Sequence, residues 1–250
     1  EEMLALANDL VRARVDAILA ISPSGVRAAA KATSSIPIVA NDLESDPVAE
    51  KFAANLGRPG GNVTGVFLDF PEMGGKWIQL LQEAVPKLAR VAVLWDPGIG
   101  PYLLKGVEAA ASSMRVQVFP LEARSPADFA GAFQAAVKQK AQALLVLSSP
   151  AFNSARREVA ALALQHRLPA IMPFPNFADD GGLMAYGPHL TSLFRQCGGV
   201  MAKVLQGAQP AEIAIERPTR FEFAINLRTA KTLGLTLSPA LRVRADRVVE

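Results

Sequence analysis

Short, almost continuous aliphatic runs alternate with amphipathic stretches along most of this chain, and no other feature limits its fold as much. Arg90-Val91-Ala92-Val93-Leu94-Trp95 and Ala143-Leu144-Leu145-Val146-Leu147 show none of the alternation of a strand with one wet face. Such runs read as strands buried on both sides, the condition of a parallel sheet covered by helices. Strands are expected at 15–21, 36–40, 63–68, 90–95, 116–121, 143–147, 169–172 and 182–186. Helices are expected at 26–33, 47–56, 73–85, 102–113, 126–139, 153–166 and 190–205. Strands and helices in regular succession make this an α/β chain with parallel sheets. From Gly207 the rhythm breaks. Residues 212–216 and 221–225 read as strands, and Asn226 as the N-cap of a helix over 227–233 that stops at Gly234. A further short helix is expected at 239–245.

The 250 residues are half apolar, enough for one large core or two of ordinary size. The formal net charge is +3 and no Lys/Arg run is interleaved with aromatics, so nucleic acid is not an expected partner. No uninterrupted apolar run approaches the roughly 18–20 residues of a membrane span. Cys197 is the single cysteine, which excludes an intrachain disulfide and any CxxC motif. The opening residues Glu1-Glu2-Met3 contain no signal peptide and already belong to an amphipathic helical pattern, with Leu4, Leu6, Ala7, Leu10 and Val11 on one face. A start in mid-helix raises the expectation of native residues upstream.

Arg58-Pro59-Gly60-Gly61-Asn62-Val63-Thr64-Gly65-Val66 interrupts the alternation. Proline and closely spaced glycines forbid regular structure, and strand chemistry resumes at Val63. The stretch reads as a crossing between two lobes; the competing account is a surface loop inside one sheet.

The common catalytic signatures are missing. There is no GxxxxGK[ST] phosphate loop, and Gly57, Gly60 and Gly61 have the wrong spacing for a dinucleotide fingerprint. Ser22-Pro23-Ser24-Gly25 lacks the first glycine of a hydrolase elbow. His166 falls at a helix end, where the dipole favours a cation, and His189 reads as a loop residue. Neither has carboxylates at zinc-ligand spacing. Asp179-Asp180-Gly181-Gly182 reads as a solvated turn. An enzyme is therefore not expected, nor a cofactor or metal. What remains is a series of polar strand-to-helix loops: Ser22-Pro23-Ser24, Asn41-Asp42, Ser45-Asp46, Asp96-Pro97-Gly98, Ser148-Ser149-Pro150 and Pro173-Phe174-Pro175-Asn176-Phe177. Open parallel sheets bind ligands beyond the carboxyl ends of their strands. Serines at helix starts offer hydroxyls and free N–H groups to a carboxylate or phosphate, although N-capping explains each serine alone. Phe152, Phe174 and Phe177 follow strands, and Tyr102 and Tyr186 lie at element ends, where rings suit a flat or apolar ligand group. Core packing competes for each of them, and Trp77 and Trp95 are assigned to the core.

Several short motifs now take on meaning through their order. They are Ile36-Pro37-Ile38-Val39, Ser45-Asp46-Pro47-Val48, the glycine-rich stretch 58–66, Leu168-Pro169-Ala170-Ile171, Gly181-Gly182-Leu183-Met184-Ala185-Tyr186-Gly187, and Pro218-Thr219-Arg220-Phe221-Glu222-Phe223-Ala224-Ile225-Asn226-Leu227. In this order the chain resembles, over essentially its whole length, the substrate-binding proteins of ABC transporters, in the family that includes the tryptophan/tyrosine uptake proteins. The resemblance implies a type I periplasmic-binding fold with two Rossmann-like lobes, three crossovers and a hinge that closes on a ligand in the cleft. It implies an N-terminal lobe at 1–64, a C-terminal lobe at 65–185, a return to the N-terminal lobe at 186–217, and a crossover and C-terminal segment at 218–250. Members of the family begin with a signal sequence and then a strand, helix and strand. This chain starts at the next helix, so its N-terminal lobe is expected to lack that first strand–helix–strand and to expose a sheet edge.

The resemblance and the strand-end loops together suggest a site. Ser22, Ser24 and Asp42 or Asp46 are expected on one wall, with Asp96, Ser149, Phe152, Phe174 and Asn176 on the other. Hydroxyls and helix N–H groups would hold a carboxylate, an aspartate would meet an ammonium, and rings would flank the side chain. An amino acid, aromatic or otherwise apolar, fits that inventory, and an aromatic carboxylate fits nearly as well. The implied partners are this small molecule and an ABC permease in the membrane. The protein is expected to be a monomer in the periplasm, or extracytoplasmic and membrane-anchored, with its export signal outside this chain. A ligand-sensing domain of a regulator is the competing reading.

Overall fold

The computed structural model describes residues 1–68 and 70–250. The chain divides into two units, Glu1–Asp69 with Leu190–Arg220, and Phe70–His189 with Phe221–Glu250.

The first unit contains α1 (Glu2–Arg12), β1 (Ile18–Ile21), α2 (Ser22–Ala32), β2 (Ile38–Asp42), β3 (Val63–Phe67) and α9 (Leu190–Leu205). The three strands pair in parallel in the order β1-β2-β3. Strand periodicity of two sorts their side chains between two helix layers. Ile18, Ala20, Ile38, Ala40, Val63 and Phe67 cluster with Val26 and Ala29 of α2. Val39, pointing the other way, packs with Val200 and Val204 of α9. Each fully buried Val, Ile or Phe contributes about 1.5–3 kcal/mol relative to exposure. β1 is the sheet edge, and its outward residues Leu19 and Ile21 are about half exposed. Of the apolar face expected on α1, only Ala7 is buried; Leu6 and Leu10 remain exposed, because α1 contacts the unit through α2.

The glycine-rich stretch lies inside this unit. Residues 58–62 are a loop leading into β3, which rejoins β2, and the chain changes unit only after Asp69. Gly65 has φ +136°, and a Cβ there would fall 2.1 Å from the carbonyl oxygen of Ala40. The glycine thus serves close strand pairing, where the sequence suggested a crossing. The helix expected at 47–56 is a turn followed by irregular backbone. Asp46 Oδ1 caps its start, accepting from the amides of Val48 and Ala49 at 2.8 and 3.2 Å, but Lys51 adopts φ +62° and ends it. The strand expected at 212–216 contributes a single parallel bridge between Glu216 and Val66, preceded by a 3₁₀ turn at Pro210–Glu212.

The second unit contains α3 (Phe70–Ala84), β4 (Arg90–Trp95), α4 (Tyr102–Ser113), β5 (Gln117–Glu122), α5 (Phe129–Lys138), β6 (Ala143–Val146), α6 (Pro150–Ser154), α7 (Arg156–Gln165), β7 (Ala170–Met172), α8 (Asn176–Asp179), β8 (Met184–Pro188), β9 (Phe221–Asn226), α10 (Leu227–Thr232), α11 (Pro239–Val243) and β10 (Arg247–Val249). Its sheet has the order β10-β9-β8-β7-β6-β4-β5 and is parallel except between β8 and β9. One face buries Leu94, Leu144, Val146 and Met172 beneath Phe129, Phe133, Phe152 and Phe177. Trp77 is fully buried, and its indole Nε1 donates to the Tyr186 carbonyl at 2.8 Å. His166 ends α7 and stacks on Phe133 with centroids 5.7 Å apart, a packing role. The helix expected over 153–166 is two helices that meet at Ala155. Asn226 caps α10 as expected, its side chain accepting from the Thr229 amide at 2.9 Å. Among the described residues, no helix is long and apolar enough to cross a membrane.

Gly65→Ala forces a Cβ into backbone at a positive φ. It is expected to cost at least about 2–4 kcal/mol, since neither strain nor clash is relieved by side-chain rotation. Chemical denaturation checks this: a midpoint equal to wild type would contradict the close strand approach.

Candidate functional site

In the first unit, β1 passes directly into α2 at Ser22, which has φ +70°. A β-carbon in that region costs roughly 1–2 kcal/mol, and such outliers collect where a loop is held for a purpose. The hydroxyls of Ser22 and Ser24 lie 3.0 Å apart, with Ser22 partly exposed and Ser24 exposed. Register places Ile21, just before Ser22, opposite Asn41. The neighbouring Asp42 is completely buried. Its Oδ1 accepts from the amides of Glu44 and Ser45 at 3.0 and 3.1 Å, and its Oδ2 accepts from the Ser45 hydroxyl. Burial pushes the Asp42 carboxyl above its ordinary value, with the Ser45 hydroxyl and the two amides pulling the other way. Arg27, which also draws it down, forms a two-pronged pair with Glu50 at 2.7 and 2.9 Å. Asp42 therefore organises its own loop and Asp46 caps the next turn. Of the expected groups in this unit, Ser24 is exposed and Ser22 and Asp46 are partly exposed.

In the second unit, Asp96 follows β4 and Ser149 follows β6. Asp96 Oδ1 accepts from the Gly98 amide at 2.8 Å, and Oδ2 accepts from the Ser149 hydroxyl at 2.9 Å, so one carboxylate ties two strand-end loops together. Ser149 is 1% exposed and precedes Pro150, the first residue of α6, but its hydroxyl serves Asp96 and not the helix. Asn176 opens α8 and is partly exposed, while its Oδ1 is buried without a hydrogen-bond partner. Phe152, expected on the ligand wall, is a core ring: it is fully buried, edge-on to Phe129 at 5.7 Å. Phe174 is also buried, at 6% exposure, and Phe177 is fully buried. These rings point inward because the short helices after β6 and β7 need an apolar face to dock on the sheet. Trp95, assigned to the core from sequence, is only partly buried, with its Nε1 enclosed and unpartnered.

Two polar residues outside the expected set, one in each unit, also carry enclosed groups. Asn41 is 4% exposed, and Asn153 sits in the middle of α6; both have a buried, unpartnered Oδ1. Adjacency to Asp42 and to Ser149-Pro150 was the available signal for them. Among the described residues, no cluster of three or more His, Cys, Asp or Glu side chains is arranged to hold a metal ion.

Hydroxyls, carboxylate and enclosed amides at the carboxyl ends of buried parallel strands suit the capture of a small polar ligand. The family model for ABC transporter substrate binding proteins matches residues 1–249. The chain belongs to that family. This family member is 25% identical over 232 residues to the tyrosine-binding protein of Clostridioides difficile (strain R20291), covering 92% of this chain and 66% of that protein. It thus spans just under two-thirds of the relative's length. A conserved domain protein from Vibrio cholerae O1 biovar eltor str. N16961 has the same fold, with TM-score 0.91, 24% identity, and coverage of 98% of this chain and 82% of that one. So does an ABC domain in complex with L-Trp from Streptococcus pneumonia, with TM-score 0.91, 21% identity, and coverage of 99% and 83%.

Three outcomes follow for this family member. Because the folded Asp42 carboxyl titrates above its ordinary value of 3.8, its ionisation opposes folding. Its contribution is most favourable in acid and declines as pH rises from that value through the raised one. Asp42→Asn keeps an acceptor for both amides and removes the ionisation, so its thermal midpoint should gain on wild type as pH rises from acid to neutral. Asp42→Ala, lacking the acceptor, should lose about 1–2 kcal/mol. Cys197 is buried, and burial pushes its thiol up to about 11. It should react with an aromatic disulfide reagent only when the protein is unfolded; rapid native labelling would contradict its placement.

Proposed function

We propose that this chain captures an aromatic L-amino acid, tyrosine or tryptophan, for an ABC importer and releases it unchanged. The observation that carries the proposal is the Asp96–Ser149 link, a carboxylate held at the carboxyl ends of two neighbouring strands in a member of the substrate-binding family. The tyrosine-binding relative and the fold shared with an L-Trp complex support the choice of ligand. Within the first unit, Ser22, Ser24 and the first-turn amides of α2 offer donors suited to a carboxylate, helped by the positive end of the helix dipole. Within the second unit, Asp96 would meet the ammonium of the amino acid. Trp95, only partly buried, would lie against the ligand ring in place of Phe152.

A permease in the membrane is the partner this function requires, and an extracytoplasmic location follows from it. The hinge closure implied by the family belongs to the same proposal, with ligand shifting the population toward the closed form. Protein stripped of co-purified ligand by unfolding and refolding should bind L-tyrosine or L-tryptophan in calorimetry with a dissociation constant of micromolar or below, about −8 kcal/mol or stronger. L-lysine and L-glutamate should not bind. Asp96→Ala should weaken the aromatic amino acid by roughly 10–100-fold. An absence of heat with every amino acid tested would contradict the proposal.

A further inference from the structure

The segment that closes the second unit builds a hollow away from the strand-end loops. β9 runs antiparallel to β8, so it delivers α10 to the end of the sheet opposite Asp96 and Ser149. α10 stops at Gly234, φ +71°, whose amide donates to the Lys231 carbonyl at 3.0 Å while the Leu235 amide donates to the Ala230 carbonyl at 2.9 Å. This helix stop folds Leu235 back over the last turn. The Ser238 hydroxyl then accepts from the Leu241 amide at 3.1 Å and starts α11, which the fully buried Leu241 anchors. Between the two short helices lies a hollow of about 290 Å³. Leu227, Ala230, Leu235 and Leu237 give it apolar walls, and the exposed Lys231 and Arg242 border it.

Residues 221–250 hold five Lys and Arg side chains. Three of them are engaged: Arg228 donates to the Glu250 carbonyl at 2.6 Å, Arg244 pairs with Glu83 at 2.8 Å, and Arg247 pairs with Asp179 and Glu222 at 3.1 and 3.2 Å. Lys231 and Arg242 pair with no carboxylate among the described residues, and it is these two that share the hollow. We propose that the hollow is a second binding site, for a small carboxylate with an unbranched apolar chain. At the roughly 30 Å³ that a water-sized group occupies in a liquid, it holds about ten non-hydrogen atoms, the size of octanoate. The apolar walls cover the methylenes. The Lys231 and Arg242 stems lie along apolar surface and leave their charged ends at the mouth, where the carboxylate pairs with them. The ammonium of an amino acid is repelled by the same cations, so this site does not compete for the ligand proposed above and does not rest on that reading.

The test titrates sodium octanoate, octylamine and sodium acetate separately into the ¹⁵N-labelled chain and follows the backbone amides. Octanoate should give saturable shifts at residues 227–237 and 241–242, with a dissociation constant of about millimolar. Acetate, which has the charge without the chain, and octylamine, which has the chain with the opposite charge, should give none there. The double variant Lys231→Glu, Arg242→Glu reverses both exposed charges and leaves the apolar walls in place. It should bind octanoate at least roughly 10-fold more weakly and bind octylamine instead. Absence of saturable shifts in the hollow, or equal shifts with octanoate and octylamine, overturns the site. Octanoate shifts confined to residues 22–24, 96–99 or 149–153 overturn it too and leave ligand capture standing. The wild-type comparison decides the matter even if the variant fails to fold.

Discussion

Parallel pairing of strands that are buried on both faces is the constraint on which the rest depends. A parallel neighbour cannot be reached by a tight turn, so each strand must be followed by a crossover, and the crossover helices cover the sheet. The same geometry brings the carboxyl ends of the strands to one edge. In the second unit, β4 carries β5 and β6 on its two sides in register, and the segments leaving β4, β6 and β7 contain Asp96, Ser148-Ser149-Pro150 and Pro173-Phe174-Pro175-Asn176. In the first, Ile21, Asn41 and Val66 are register partners, which aligns Ser22 with Asn41-Asp42. Polar groups dispersed in sequence are gathered without any single motif.

Those groups divide into two kinds. Some serve the scaffold: Asp42 accepts from its own loop, Asp46 caps a turn, and Asn226 caps a helix. Others are held but not exhausted: the hydroxyls of Ser22 and Ser24, the Asp96 carboxylate, and the enclosed oxygens of Asn41, Asn153 and Asn176. In the proposed capture the second kind would supply the binding energy, because each of these groups retains hydrogen-bonding capacity that a ligand can use. The two aspartates show the difference. Asp42 is fully enclosed and internally satisfied, while Asp96 remains partly exposed with each oxygen singly occupied.

Much of this was legible in the residues, for a physical reason. Helix and strand periods are local, so 102–113 and 190–205 matched α4 and α9, and the Asn226 cap was visible from a side chain three residues ahead of its donor. Strand direction is not local: nothing in Phe221–Asn226 says that it runs against β8, or that Arg247–Val249 will join it. Gly65 looked like part of a lobe crossing because the Ala40 carbonyl that demands it belongs to another strand. Phe152 looked like a ligand contact because position after a strand does not show which way a short helix turns its face; the ring packs on Phe129. Asn153 was overlooked because an asparagine within an α-helix has no sequence signature, and only burial without a partner distinguishes it.

The central claim is that ligand is held at the carboxyl ends of the strands. Backbone amide chemical-shift mapping of the ¹⁵N-labelled protein titrated with L-tyrosine or L-tryptophan tests it most directly. The account predicts that the largest shifts fall at Ser22–Ser24, Asn41–Ser45, Asp96–Ile99, Ser149–Asn153 and Phe174–Asn176. Shifts concentrated at the opposite ends of the strands, around Leu183, Asn226 and Thr229, with these loops unmoved, would contradict it.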